Sequence, residues 1–332
     1  MKTPVPPPYR LGELRERVIA GLANADDKRH LFVLRALAGG LDDPEYRPWE
    51  YYFRAEPVPE GLMREEWWYA VRTARASTAR PTPFIMKDGT RLTFNLPDRF
   101  LRLNEEITAQ ACGQVELPGE VATQGMRDRY LINSLYEEAI TSSQMEGAST
   151  TRRDAKKMLR EKKDPRTRSE RMILNNFLAL EFVRDHLGGE VTPEFIREVH
   201  RIVTDGTLDE AEDAGRLQRP GEERIRIYGS EGDEQPLHVP PPSEELPERL
   251  QRLCDFANGV GEYASQYVPP LVRALVVHFM MGYDHYFVDG NGRTARVIAQ
   301  WVMLREGFFL MDFVPVSRLL HKAPAQYARS FL

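Results

Sequence analysis

The sequence predicts a mainly α-helical protein carrying two β-hairpins, and three observations lead there. Apolar residues recur at helical spacing in most segments, as at Leu131, Ile132, Leu135, Tyr136, Ala139 and Ile140, with glycines and prolines between the runs. After Pro269-Pro270 the run LVRALVVHFMMGY is nearly all apolar, which suits a buried helix with proline in its first turn. Alternation about turn residues marks two hairpins, one from Phe84 to Phe94 around Lys87-Asp88-Gly89 and one over residues 223–240.

Length and composition narrow the classes. A chain of 332 residues can bury a large core and divide into two domains, and the Pro118-Gly119 region marks the expected boundary between residues 1–120 and 121–332. The net charge of −5 and isoelectric point of about 5.9 argue against a general nucleic-acid surface. Cys112 and Cys254 lie far apart and outside metal-ligand spacing, so neither a disulfide framework nor a zinc site is expected, and a reducing cytoplasm is the simplest compartment. No N-terminal apolar core of a leader and no 18-residue apolar run is found, so no membrane association is expected.

In chain order, residues 1–9 read as a proline-rich extended arm, and LGELRERVIAGLAN and DDKRHLFVLRALAGG as two short helices. Trp67, Trp68 and Val71 share one side of a helix and suit a core rather than base stacking. Beyond the first hairpin, a helix through MRDRYLINSLYEEAITSSQMEG stops at Gly147. The basic run TRRDAKKMLREKKDPRTRSER interleaves acids and reads as solvated. Ser169 is the expected cap of a helix through ILNNFLALEFVRDHL, and Thr192-Pro193 opens the helix EFIREVHRIV, where His200 reads as a packed residue. Ile225 and Ile227, then Leu237 and Val239, alternate about a Gly- and acid-rich turn. An amphipathic helix follows from Ser243 to Asn258, then the apolar helix, a helix from about Arg293 to a stop at Gly307, and one or two helices in FVPVSRLLHKAPAQYARSFL, whose apolar end reads as a helix cut short and so suggests a chain that continues.

The stretch His285–Arg296, HYFVDGNGRTAR, has another character. It places a proton acceptor, a carboxylate, a glycine-flanked turn and two arginines between two helices. Glycines let backbone amides face a ligand, and the following helix offers unpaired N–H groups and a positive dipole end. Arg293 and Arg296 sit in that first turn, where the dipole disfavours cations, so an anion is expected between them; a polyphosphate would satisfy both amides and guanidiniums.

The same stretch resembles the signature of the Fic domain family, HxFx(D/E)GNGRxxR, with His285, Phe287, Asp289, Gly290, Asn291, Gly292, Arg293 and Arg296 in place. It departs at Tyr286, where the family most often has proline, so the backbone before Phe287 is expected to be less restrained. Upstream, Ser142-Ser143-Gln144-Met145-Glu146-Gly147 resembles the family's inhibitory pattern (S/T)xxxE(G/N), on a helix of about 127–147 that precedes the Fic core.

The resemblance implies a helical Fic fold and transfer of AMP from ATP to a Tyr, Thr or Ser hydroxyl of a target protein. It makes His285 the base, Asp289 the Mg²⁺ ligand, Gly290, Asn291, Gly292, Arg293 and Arg296 the nucleotide-binding set, and Ser142, Glu146 and Gly147 the inhibitory set, with Glu146 paired to Arg296. The hairpin at 223–240 becomes the flap, with target contact at Ile227, Tyr228 and Gly229 by strand addition, and Tyr327 a contact for the adenine ring. Self-modification and a homodimer are further expectations. The same site leaves open AMP removal, Doc-like phosphate transfer and a non-catalytic nucleotide-binding regulator.

Overall fold

The computed structural model describes residues 9–23, 26, 28–31, 45–54, 58–59, 62–112, 124–228 and 236–331. Contacts divide the chain into one unit of Pro83–Thr90 with Ile107–Leu332 and another of Pro4–Thr82 with Arg91–Glu106. Pro118-Gly119, the expected boundary, lies outside the described residues.

In the smaller unit, α1 (Leu11–Leu22), α2 (Trp49–Arg54) and α3 (Arg64–Ser77) gather the aromatic residues into a core. Leu14, Tyr52, Trp68 and Val71 are buried together, and the Tyr52 ring meets Trp67 edge-on at 5.0 Å. Aromatic burial explains the tryptophan-rich stretch without a nucleic acid. Apart from residues 26 and 28–31, the second expected N-terminal helix lies outside the described residues.

The first hairpin forms from β1 (Arg80–Ile85) and β2 (Arg91–Phe94), and its turn holds Gly89 at φ 81°. Its tip belongs to the larger unit: Phe84 packs edge-on against Phe256 and Ile85 O accepts from Arg249 Nη1 at 3.1 Å. Then come α4 (Asp98–Ala111), α5 (Gln124–Met145), α6 (Arg152–Glu161), α7 (Arg168–Asp185) and α8 (Pro193–Thr204). The cap of α7 is Thr167, whose hydroxyl accepts from Glu170 N, because the predicted cap Ser169 lies inside the helix and accepts from Ser149 N instead. Thr192 caps α8 by accepting from Phe195 N, with Pro193 at the first position.

The centre of the larger unit is the pair α10 (Pro270–Asp284) and α11 (Asn291–Arg305), preceded by α9 (Leu246–Asn258) and followed by α12 (Val316–Lys322) and α13 (Pro324–Arg329). α11 packs on α10, α8 and α7, which is why Trp301, Ile298 and Val302 are buried; α5 packs on α7 and α12. No helix among the described residues is long and apolar enough to cross a membrane.

Candidate active site

The loop between α10 and α11 is built from its own backbone inward. His285 caps α10 in the left-handed conformation, at φ 48° and ψ 63°, and Gly290 opens α11 at φ 80°. Asn291 closes the turn: its amide Nδ2 donates to Phe287 O at 2.7 Å and its Oδ1 accepts from Phe287 N at 3.0 Å. The Asn291 side chain therefore serves the loop, and its share in an anion site is left to the backbone. Phe287 is fully buried, as expected of an anchor, and stacks on His200 with ring centroids 3.7 Å apart.

His200 supports the loop from α8. Its Nδ1 accepts from Gly215 N at 2.9 Å, so Nε2 carries the proton and donates to Asp289 O at 2.7 Å. Burial lowers this imidazole to about 4, which keeps it neutral for that pair of bonds. At Gly290 a Cβ would stand 2.5 Å from Thr204 Cγ2, so the close approach of α8 demands glycine.

At the start of α11 the anion expected between the arginines is a carboxylate of the chain itself. Arg296, almost wholly buried, donates from Nε to Ser142 Oγ at 2.8 Å, and from Nη2 to Ser142 O at 3.0 Å and Glu146 Oε1 at 2.7 Å. A Cβ on Gly292 would overlap that carboxylate, meeting Glu146 Cδ at 2.8 Å, so Glu146 lies against the helix N-terminus. Gly147, at φ 93°, lets Gly147 N bond to Gln144 O and Ala148 N to Ser143 O, a Schellman cap that fixes Glu146 as the last link of α5.

The two arginines divide their work. Arg293 is turned inward, donating from Nη1 to Val203 O at 2.9 Å, while its Nε finds no hydrogen-bond partner among the described residues. Burial lowers its pKa, with Asp289 and Glu146 opposing. It thus lends charge to the site more than a free fork of donors. Asp289 is half exposed; its Oδ1 accepts from Gly290 N at 2.6 Å and its Oδ2 lies 3.5 Å from Arg168 Nη2. No cluster of three or more His, Cys, Asp or Glu among the described residues could hold a metal alone, so a cation at Asp289 would need ligand oxygens as well, a donor set that suits Mg²⁺ with phosphates.

Tyr327 reaches the arginine end of the site by its hydroxyl. That group is hydrogen-bonded to His278 Nε2 at 2.8 Å and is electrostatically coupled to Arg296, while the ring meets Phe331 edge-on.

Among the described residues of 223–240, Ile227 and His238 form an antiparallel bridge, closed by Ile227 N to His238 O at 2.9 Å. Tyr228 is exposed on that edge; Gly229 lies outside the described residues. Two supports of His285 carried no sequence signal. Arg224 Nη2 donates to Asp284 O and His285 O at 2.5 and 2.9 Å. Tyr286, far from unrestrained, is buried with its hydroxyl donating to Asp284 Oδ2 at 2.7 Å, while Asp284 Oδ1 pairs with Arg249 at 3.1 Å. The expected slackness at the missing proline is thus corrected: a tyrosine hydrogen bond does what a ring constraint would. Burial, then the charge of Arg224, lowers the His285 imidazole to about 4, with Gly282 O and Glu146 opposing. His285 is neutral at pH 7 and able to accept a proton.

Known proteins share this architecture. Residues 190–303 match the model of the Fic/DOC family. Protein adenylyltransferase Fic of Drosophila willistoni is 32% identical over 138 residues, which is 41% of this chain and 24% of that protein. Protein adenylyltransferase fic-1 of Caenorhabditis elegans is 31% identical over 119 residues, 36% of this chain and 20% of the relative. The match thus spans about a quarter or less of these curated relatives. Among solved structures, Fic-1 from C. elegans superposes with a TM-score of 0.52 at 17% identity, covering 96% of this chain and 95% of that one. A Fic family protein from Desulfovibrio desulfuricans gives 0.51 at 21% identity over 69% and 63% of the two chains. The stretch that holds His200, the hairpin and the loop from His285 to Arg296 is thus the part of the chain that matches the Fic/DOC family.

Proposed function

We propose that this protein transfers AMP from ATP to a Tyr, Thr or Ser hydroxyl of a target protein, and that Glu146 holds it in a restrained state. One observation carries the reading: a carboxylate of the chain lies on the N-terminus of α11 and on Arg296, beside a neutral histidine. An anion site so occupied is one a polyphosphate would take once Glu146 withdraws.

In the reaction, the target's hydroxyl oxygen attacks the α-phosphorus, His285 takes its proton, and the bond to the β-phosphate breaks with pyrophosphate leaving. Asp289 would hold Mg²⁺, which would supply charge neutralisation for the phosphates. The amides of Asn291 and Gly292 face the phosphates, the Gly290 amide being held by Asp289; Arg293 adds positive charge and Arg296 binds the γ-phosphate after release from Glu146. The anionic phosphates raise the His285 pKa toward working pH, which makes it a stronger base in the complex. An extended segment of the target adds to the outer edge beside Ile227, at Tyr228, since the N–H and carbonyl of Ile227 itself are spent on His238 and Leu237, and this brings its hydroxyl to His285.

The test is incubation with α-labelled ATP and Mg²⁺. Label is expected on protein, more for Glu146→Gly than for the parent and none for His285→Ala. Equal labelling of all three rejects both the base and the restraint.

A further inference from the structure

A helix leaves its last carbonyls without intrahelical partners, and something must meet them. At the end of α10 the partners come from one segment, residues 218–238. Tyr283 O accepts from His238 Nε2 at 2.7 Å, Asp284 O and His285 O accept from Arg224 Nη2, and Tyr286 O accepts from Gln218 N at 3.0 Å. Four successive carbonyls are therefore held from a single stretch of chain. The two side-chain donors stand on opposite limbs of the hairpin: His238 is the residue bridged to Ile227, and Arg224 lies three residues before it. Arg224 also ties the limbs together, with Nε donating to Pro241 O at 2.8 Å and Nη1 to Gln218 Oε1. The His238 ring lies 4.5 Å from Tyr283, so its bond is backed by packing.

We propose that Arg224 and His238 are positioning residues that make the hairpin the C-terminal cap of α10, so that the edge receiving a target and the base His285 are placed as one body. The inference rests on the reading of His285 as the base. Its consequence is that a target strand added on the outer edge beside Ile227 orders the caps and, through them, the imidazole. A fixed guanidinium on two adjacent carbonyls suits this, because a fork held by four acceptors leaves little freedom. The charged and titratable groups around the His285 ring are Arg224 and His238 from the hairpin and Glu146, just past the end of α5.

The test uses the full chain carrying Glu146→Gly as the parent, with Arg224→Gln, Arg224→Lys and His238→Gln added singly. Transfer from α-labelled ATP gives kcat and KM, calorimetry gives ATP binding, and NMR titration follows the His285 imidazole. Arg224→Gln is expected to lower kcat by about tenfold or more with little change in ATP binding, since small misplacement of a reacting group is costly. The His285 titration should move to higher pH on loss of the neighbouring charge, and Arg224→Lys should restore the titration and part of the rate. His238→Gln, which can still donate, should cost less, about two- to fivefold in kcat by the same argument. An unchanged kcat and titration in Arg224→Gln overturns the proposal, as does a parallel loss of rate, ATP binding and thermal midpoint, which marks a residue of general stability. Should Arg224→Gln not fold, an unaltered kcat in His238→Gln overturns it. A parent with no transfer at all rejects the function proposed above, and the titration then decides the placement by itself.

Discussion

Two parts of the molecule grip the loop from His285 to Arg296, and they grip it by different atoms. α5 holds Arg296 by its side chain, through Ser142 and the Glu146 carboxylate. The hairpin segment holds the end of α10 by its backbone, through the carbonyls of residues 283–286. A side-chain ion pair occupies a group that a phosphate can also use, so a ligand can compete for it. Backbone carbonyls at a helix end have no such competitor, and their loss would leave buried acceptors unpaired at about 1–3 kcal/mol each. The first grip is exchangeable and the second is part of the fold.

The largest expected effect tests whether the loop is rigid on α8, the condition under which either grip can place it. Gly290→Ala forces a Cβ to 2.5 Å from Thr204 Cγ2 at φ 80°, and unfolding in denaturant should show about 2–5 kcal/mol of lost stability from strain and overpacking. A loss near zero would mean the loop can shift, and the contrast between the two grips would fail. Next comes the exchangeable side. Glu146→Gly should tighten Mg·ATP binding by about 10- to 100-fold in calorimetry, the value of one charge-assisted hydrogen bond no longer in competition. Unaltered affinity would place the carboxylate outside the phosphate's path.

The smallest effect concerns His278, on α10 below Arg296. Burial, then the charge of Arg296, lowers this imidazole to about 4 from an ordinary 6.5. Between those values the unfolded chain binds a proton that the folded one does not, so stability falls with acid through that window, by up to about 1 kcal/mol per pH unit. His278→Gln should flatten the dependence of the denaturation midpoint on pH between 6.5 and 4; an unchanged slope would mean that His278 protonates in the fold.

The elements with local signals were legible. The apolar run after Pro270, the Gly147 stop and the first hairpin's turn are written in neighbouring residues, and the loop at 285–296 announces anion chemistry by its own composition. Arg293 and Arg296 look alike in sequence and share one helical turn, yet Arg293 meets Val203 and Arg296 meets α5; only the packing around α11 separates them. Arg224, His200 and the Tyr286–Asp284–Arg249 set were invisible for a related reason. Each is a polar residue whose partner lies far along the chain or depends on burial, as with His200 and Asp289, 89 residues apart. The cap of α7 was misread by two residues because Ser169 and Thr167 both suit that role and only the geometry selects between them.

Glu146 sits on a helix held at several points, with Glu138 accepting from Ser317 N at 2.9 Å, Asn176 Nδ2 donating to Ala139 O and Ser143 Oγ to Met172 O. On the proposed reading it is a tethered ligand, and its strength against ATP is an effective concentration set by that anchoring rather than by the ion pair alone. Loosening α5 at its bond to Asn176, a residue of α7, would dilute the carboxylate and change the ATP concentration at which the site opens, with every residue of the loop intact.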